Sequence, residues 1–118
     1  MIFAAETEER SLHVFPDAET AASYCEGLAV EATIWLFWDD RGAPLEPRFT
    51  IPNKRGLLTN KNGVYHLVPM SAGQHGYLRE ALDHVLHVVG EFPFNSVKAV
   101  RQYLDKPQSA CLLQGDAI

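Results

Sequence analysis

Residues 34–49 read IWLFWDDRGAPLEPRF, and this stretch decides the fold. The run from Thr33 to Trp38 is β-branched or aromatic and apolar on both sides, which predicts a central strand covered on each face. The AspAspArgGly that follows predicts a turn in which Gly42 takes a positive φ. A partner strand is predicted from Leu45 to Ile51, and its internal Pro47 indicates a sheet edge or a bulge.

Two strands and a helix are predicted before this stretch. Met1 to Ala5 is apolar and Ser11 to Phe15 alternates, so the pair is compatible with a hairpin around the polar residues between them. Asp17 is a candidate N-cap, because its side chain can accept from the first free N–H groups of a helix. That helix is predicted from Ala18 to Glu26, with Gly27 at its C′ position.

The residues after the stretch predict more strands and then two helices. Gly56 to Thr59 and Val64 to Val68 flank Asn62-Gly63, a strong signal for a hairpin turn. Apolar residues recur with helical period from Gln74 to Val89. Asn95 or Ser96 is then expected to cap a last helix that stops before Pro107.

These elements together predict an α+β fold. We expect a central antiparallel sheet of about four to six strands, with one N-terminal helix and two C-terminal helices packed against it. A single domain is expected over residues 1–106. Residues 107–118 lack a period and are expected to form a C-terminal tail that frays.

The charge of the chain is unevenly distributed. The formal net charge is −5, yet residues 1–40 carry nine acids and one base while residues 41–70 carry five bases and one acid. An acidic N-terminal third repels phosphates, which disfavours nucleic-acid binding and suits a basic partner. A small basic patch on loop tips remains an alternative nucleic-acid site, formed by Arg48, Lys54, Arg55 and Lys61.

Targeting and membrane segments are not indicated. No apolar run approaches the ~20 residues needed to cross a bilayer. The N-terminus, MIFAAETEER, has acids where a secretory signal needs a basic start. A cytoplasmic protein without membrane association is therefore expected.

One group of side chains has spacing compatible with a metal site. Glu80, His84 and His87 fall at i, i+4 and i+7, which places them on one face of the predicted helix. A zinc site needs three or four converging ligands, and Cys25 and Cys111 lie too far apart in the chain to form a recognisable ligand pair. We therefore expect no cofactor and no catalysis, with a small metal-dependent enzyme using His84 and His87 as the alternative.

The string SYCEGLAVEATIWLFWDDRGAPLEPRFTIPN, residues 23–53, resembles immunity proteins of bacterial contact-dependent inhibition and related polymorphic toxin systems. The resemblance covers roughly residues 18–56, with a looser match at residues 92–97, PheProPheAsnSerVal. It implies a non-catalytic protein that binds a cognate toxin domain, often a nuclease, and occludes its active site. An acidic inhibitor suits a basic nuclease, because opposite charges raise the association rate.

Aromatic residues next to acids are typical of a protein-binding surface. Trp35 and Trp38 lie three apart in a strand and so face opposite sides, which predicts that at least one of them is incompletely covered. A place in the core is the other interpretation of each tryptophan. The alternative is an unrelated regulatory interaction domain. The binding face is predicted from Trp38 as an anchor and from the acids Glu6, Glu8, Glu9, Glu31, Asp39, Asp40 and Glu46.

Overall fold

The computed structural model describes residues 1–71, 75–91 and 93–106, and the predicted tail lies outside these ranges. The strands, in chain order, are β1 (Ile2–Glu6), β2 (Ser11–Phe15), β3 (Trp35–Trp38), β4 (Pro44–Ile51), β5 (Lys54–Arg55), β6 (Asn60–Lys61), β7 (Val64–Pro69) and β8 (His87–Val89). Six of them form one sheet in the order β7-β4-β3-β1-β2-β8, while β5 and β6 form a separate hairpin. The helices are α1 (Ala18–Tyr24), α2 (Gly27–Glu31), α3 (Leu78–Ala81) and α4 (Val97–Asp105), and a 3₁₀ turn spans Leu82–His84.

The fold is α+β, as predicted, and β3 is a central strand covered on both faces. Phe37 packs in a cluster with residues of α1 and α2, whereas Trp38 packs in a second cluster with α3, the 3₁₀ turn and α4. The alternation of side chains along a strand explains this division, because successive residues point to opposite faces. Within the described residues, none of the helices has the length and apolar composition needed to cross a membrane.

Local signals in the sequence place several boundaries correctly. The carboxylate of Asp17 accepts the backbone N–H of Thr20 at 2.7 Å and caps α1. The hydroxyl of Ser96 accepts from Ala99 at 3.1 Å and caps α4. Gly42 has φ +82, the conformation that its turn requires and that a side chain would strain. Each of these features depends on a few neighbouring residues.

The predicted helix from Gln74 to Val89 is wrong. Helical structure ends at His84, and His87–Val89 forms β8, which pairs in parallel with β2 at the edge of the sheet. Val88 and Val89 are β-branched and fit a strand, and the open edge of β2 supplies hydrogen-bond partners that a helix would forgo. The sheet is consequently mixed, with one parallel pair among its described strand pairings, and is not the wholly antiparallel sheet predicted.

Two glycine predictions are also corrected. Gly27 begins α2 and does not terminate α1, and a Cβ there would lie 2.5 Å from Oδ1 of Asn53. The Asn62-Gly63 pair is not a hairpin turn, because β6 and β7 on either side of it belong to different sheets, and the hairpin of β5 and β6 turns at residues 56–59. These two residues instead tie the hairpin to the rest of the fold, since Asn62 accepts from the N–H of Leu28 and Gly63 donates to Asn53.

Candidate partner-binding surface

The predicted acidic face is divided between the two ends of the sheet. β1 and β3 are antiparallel, with Glu6 opposite Trp35 and Phe3 opposite Trp38. The turn that follows Trp38 therefore lies at the end remote from Glu6. Asp39 and Asp40 occupy that remote turn, so the single face predicted from all the acids does not form.

Asp39 serves the turn that it begins. Its carboxylate accepts the N–H groups of Arg41 and Ala43, both at 2.9 Å. The turn also packs beside α4, where burial raises the pKa of Tyr103 and the charges of Asp40 and Asp39 raise it further. Asp39 is thus used within the fold, while Asp40 is exposed.

Trp38 is not a surface anchor. It is 1% exposed, and its indole N–H donates to the carbonyl of Gly76 at 2.7 Å. Trp35, on the opposite face, is only partly buried. The spacing of the two residues predicts opposite faces, but only the packing of the helices decides which tryptophan is covered.

Trp35 belongs to an aromatic cluster on the face of the sheet that α1 covers. Its ring lies 5.0 Å from that of His13 and 5.9 Å from that of Tyr24, both in edge-to-face geometry. The rings of His13 and Tyr24 are 5.4 Å apart. Tyr24 is 58% exposed, so the cluster reaches the surface and offers rigid aromatic area to a partner. Neither Tyr24 nor His13 is among the residues predicted for the binding face, because neither is acidic or part of the apolar run that ends at Trp38.

The turn between β1 and β2 holds acids beside this cluster. The carboxylate of Glu6 accepts the backbone N–H of Glu8 at 3.1 Å and that of Glu9 at 2.7 Å. Thr7 anchors the turn to the residue before β3, because its N–H donates to the carbonyl of Ile34 at 2.8 Å. Glu6 therefore shapes the turn, while Glu8 and Glu9 project into solvent.

The pKa of His13 depends on its burial and on the charges of two acids of this turn. Burial lowers the pKa of His13 below its ordinary value of 6.5, and the charges of Glu6 and Glu9 oppose that shift. The imidazole of His87 on β8 lowers the pKa of His13 slightly further. Because Glu6 also lies opposite Trp35 in the register of β1 and β3, the acidic turn adjoins the aromatic cluster.

A cleft opens on the other side of Trp35, where β3 and β4 diverge. Alternate residues of a strand direct their backbone N–H and C=O groups toward the same neighbouring strand. The carbonyl of Ala43 accepts the N–H of Asp39, so the backbone groups of Ala43 face the side of β3. Pro47, four residues further on, faces β3 as well but has no N–H to donate to it. The ladder between the two strands ends before it reaches Trp35.

The sheet edge or bulge predicted at Pro47 is wrong in its position, because β4 is an interior strand between β3 and β7. At Pro47 only the pairing with β3 is missing, and the register shift of β4 lies between Phe49 and Ile51.

The cleft brings two more of the predicted acids to Trp35. It has a volume of about 300 Å³, and Glu31, Trp35 and Glu46 all contribute to its lining. Glu31 is exposed and forms an ion pair of 3.2 Å with Arg55. Acidic residues thus flank Trp35 on two sides, Glu6 opposite it on β1 and Glu31 and Glu46 in the cleft, with Glu31 already paired to Arg55. We call this the Trp35 surface, formed by Glu6, Glu8, Glu9, His13, Tyr24, Glu31, Trp35 and Glu46.

The proposed row of metal ligands is not formed. Glu80 lies on α3, His84 ends the 3₁₀ turn and His87 lies on β8, so no common helix face joins them. Among the described residues, no group of three or more His, Cys, Asp or Glu side chains could hold a metal ion. Cys25 is buried, which raises the pKa of its thiol to about 12, and Cys111 lies outside the described residues.

The wider relationships of the chain were tested by comparison with known proteins. Searches against protein-family models, curated proteins and solved structures each gave no match.

Proposed function

We propose that this chain is a toxin-neutralising immunity protein. It binds a cognate toxin domain of basic charge, with a nuclease as the expected class, and blocks the active site of that domain in the cytoplasm. The chain itself carries out no reaction. The observation that best supports this proposal is that Trp35 is partly exposed between acidic residues, Glu6 opposite it on β1 and Glu31 and Glu46 in the adjoining cleft.

The chemistry of the Trp35 surface suits a basic protein partner. Tyrosine and tryptophan are enriched among residues that dominate binding energy, because they bury much area with little loss of conformational entropy. A guanidinium or ammonium group can lie against the faces of Trp35 and Tyr24 while a neighbouring carboxylate pairs with it. Arginine and lysine side chains that grip phosphates in a nuclease are groups of this kind.

The rigidity of the acidic turn favours tight binding. Glu8 and Glu9 are held at the tip by the hydrogen bonds from their backbone N–H groups to Glu6. The turn is further fixed by Thr7, whose hydroxyl donates to the carbonyl of Ile34 at 3.0 Å. A surface that is ordered before binding loses less entropy when a partner docks. Steering by the exposed carboxylates also raises the association rate at low ionic strength.

The proposal predicts that a gene beside that of this chain encodes a large secreted protein with a toxic C-terminal domain, and the test uses that domain. Co-expression with that domain should restore growth of a bacterial host, and calorimetry on the purified proteins should give a one-to-one complex. Tyr24→Ala is expected to weaken the complex by about thirtyfold, the effect of losing a dominant interface residue. Tyr77→Ala is the matched control, because both tyrosines are 58% exposed but Tyr77 caps α3, outside the Trp35 surface.

Two results would contradict the proposal. One is a chain that neither rescues growth nor binds the encoded toxin domain. The other, which concerns the surface alone, is equal affinity loss for Tyr24→Ala and Tyr77→Ala. In that case the toxin is bound elsewhere and the Trp35 surface is not the interface.

A further inference from the structure

The tip of the β5–β6 hairpin exposes two adjacent leucines. Leu57 is 105% exposed and Leu58 is 96% exposed. The turn that carries them is closed by the N–H of Gly56, which donates to the carbonyl of Thr59 at 2.9 Å. Single exposed leucines are ordinary on protein surfaces, but two neighbouring ones at a hairpin tip form a small apolar patch that contact with another molecule would cover.

The stem of the hairpin is basic. Lys54 lies directly opposite Lys61 in the register of β5 and β6. Like charges in directly opposite positions destabilise a strand pair. Arg55, the next residue, is paired with Glu31. The two lysines therefore favour a partner that brings negative charge next to an apolar site.

The chain also has an apolar pocket with an acidic residue at its rim, which matches the apolar tip and the basic stem of the hairpin. It has a volume of about 310 Å³ and lies against the face of the sheet opposite the aromatic cluster. An apolar cavity of about 150 Å³ can hold a benzene molecule, so this pocket has room for leucine side chains. Its apolar lining comes from Ala5, Leu36, Trp38, Ala81 and Val85.

The rim of this pocket is acidic. Glu6 and Thr7 of the β1–β2 turn line it, and Glu8 and Glu9 follow them in the chain. Arg10 is the basic residue on the same rim, but its Nε donates to the carbonyl of His84 at 2.9 Å. Of the described residues, Glu6 is the one acid in the lining itself, and Glu8 and Glu9 lie in the turn between the lining residues Thr7 and Arg10. The turn at this rim therefore holds more acids than guanidinium groups.

The hairpin and the pocket lie at the same end of the sheet. β1 and β4 both pair antiparallel with β3 and so run in the same direction. β1 ends in the acidic turn, and β4 ends at Ile51, just before the hairpin. Two copies that meet end to end about a two-fold axis can therefore satisfy both contacts at once.

We propose that this chain forms a reversible homodimer in which the leucine tip of each copy enters the acidic-rimmed pocket of the other. Leu57 and Leu58 fill the apolar lining, while Lys54 and Lys61 face Glu8 and Glu9 across the interface. The dimer forms without a toxin, but it uses Glu8 and Glu9, which also belong to the Trp35 surface, so dimerisation and toxin binding compete for these two acids. An interface this small is expected to be weak and to exchange freely with monomer.

Charge argues for a second copy over a lipid surface. Anionic membranes attract basic segments, but here Glu6, Glu8 and Glu9 occupy the same end of the sheet as the hairpin and would be repelled. The chain as a whole also carries a formal net charge of −5. A second copy offers the lysines a localised group of carboxylates directly beside an apolar pocket that the leucine tip can fill, which a lipid headgroup layer does not.

Sedimentation equilibrium over about 10 to 500 µM protein tests the proposal, since weak interfaces associate in this range. The unmodified chain should move from monomer to dimer as the concentration rises. Leu57→Ser combined with Leu58→Ser should remain monomeric throughout, with an unchanged circular dichroism spectrum because both side chains are exposed. Val89→Ser is the control for an exposed apolar residue elsewhere, and it should dimerise normally.

A charge exchange tests the pairing directly. The variant Lys54→Glu, Lys61→Glu and the variant Glu8→Lys, Glu9→Lys should each fail to dimerise alone, because like charges meet at both contacts. Their equimolar mixture should dimerise, since both contacts then join opposite charges.

A monomeric unmodified chain at every concentration, or a dimer that survives the double leucine substitution, overturns the proposal. So does binding of the unmodified monomer to vesicles of phosphatidylserine and phosphatidylcholine that the double leucine variant loses. That last result would assign the tip to membranes.

Discussion

The carboxylate of Glu6 accepts the backbone N–H of Glu9 at 2.7 Å, so one predicted binding residue positions another. The same carboxylate accepts the N–H of Glu8 at 3.1 Å. Glu6 is also opposite Trp35 in the register of β1 and β3, which places the acidic turn next to the aromatic cluster. The acids of this turn therefore have different roles, and substitutions should separate them.

Glu6→Ala should lower the free energy of unfolding by about 1 kcal/mol, because two backbone N–H groups lose their acceptor on a solvent-accessible turn. Urea denaturation measures the change. Glu8→Ala removes an exposed side chain from the same turn and should stay within about 0.5 kcal/mol of the unmodified protein. Equal destabilisation by both substitutions would show that the Glu6 hydrogen bonds do not hold the turn.

Asp39 and Asp40 should differ in the same way at the other end of the sheet. Asp39→Ala removes the acceptor for Arg41 and Ala43 and should cost about 1 to 2 kcal/mol of stability. Asp40→Ala, a neighbouring exposed acid, is the matched control and should cost less than about 0.5 kcal/mol. Neither change should weaken toxin binding through the Trp35 surface. A large loss of toxin affinity in the Asp40 variant would move the interface to this end.

His13 gives a prediction about pH. Burial holds its pKa below 6.5 in the folded chain, so protonation favours the unfolded chain. The stability that neutral His13 contributes is therefore complete above the pKa of His13 in the unfolded chain. It is lost as the pH falls from that value through the lower pKa of His13 in the folded chain. Replacing His13 with glutamine should flatten this acid-side decline in a series of denaturation curves.

The charge of Glu9 raises the pKa of His13 against the effect of burial. Glu9→Gln should consequently lower that pKa further, as followed by NMR titration of the imidazole between about pH 4 and 8. Glu8→Gln is the control, because Glu8 is not among the groups that shift His13. An unchanged pKa of His13 in the Glu9 variant would show that the acidic turn does not lie close to the aromatic cluster.

The two tryptophans should respond differently to solvent. In Trp38→Phe the remaining Trp35 should be quenched readily by acrylamide, whereas in Trp35→Phe the remaining Trp38 should be protected. Trp38→Phe should also cost about 2 kcal/mol or more of stability, since it leaves a cavity and an unpaired carbonyl at Gly76. Similar quenching of both residues would be incompatible with the burial of Trp38.

Features that depend on adjacent residues could be predicted from the sequence. Asp17 and Ser96 cap helices through residues three positions away, and Gly42 takes the φ of its own turn. The apolar run that ends at Trp38 identified a strand covered on both faces because its period is local. Leu78 and Leu82 are buried as the helical pattern requires.

Features that depend on distant partners could not be predicted in this way. Residues 87–89 continue a helical pattern but form β8, because the edge of β2, some seventy-five residues earlier, accepts them as a parallel strand. The Asn62-Gly63 pair suits a tight turn, yet its groups bond to Leu28 and Asn53. The interactions that decide both cases join segments far apart in the chain.

The candidate site shows the same division. By itself, the sequence determined an α+β fold, the acidic charge of its first forty residues and the opposite orientations of Trp35 and Trp38. The tertiary structure alone decided that Trp38 is buried, that Trp35 reaches the surface and that the acids occupy opposite ends of the sheet. The physical reason is that strand alternation is a property of a single strand. Exposure and proximity depend on strand order, strand direction and the helices that cover each face.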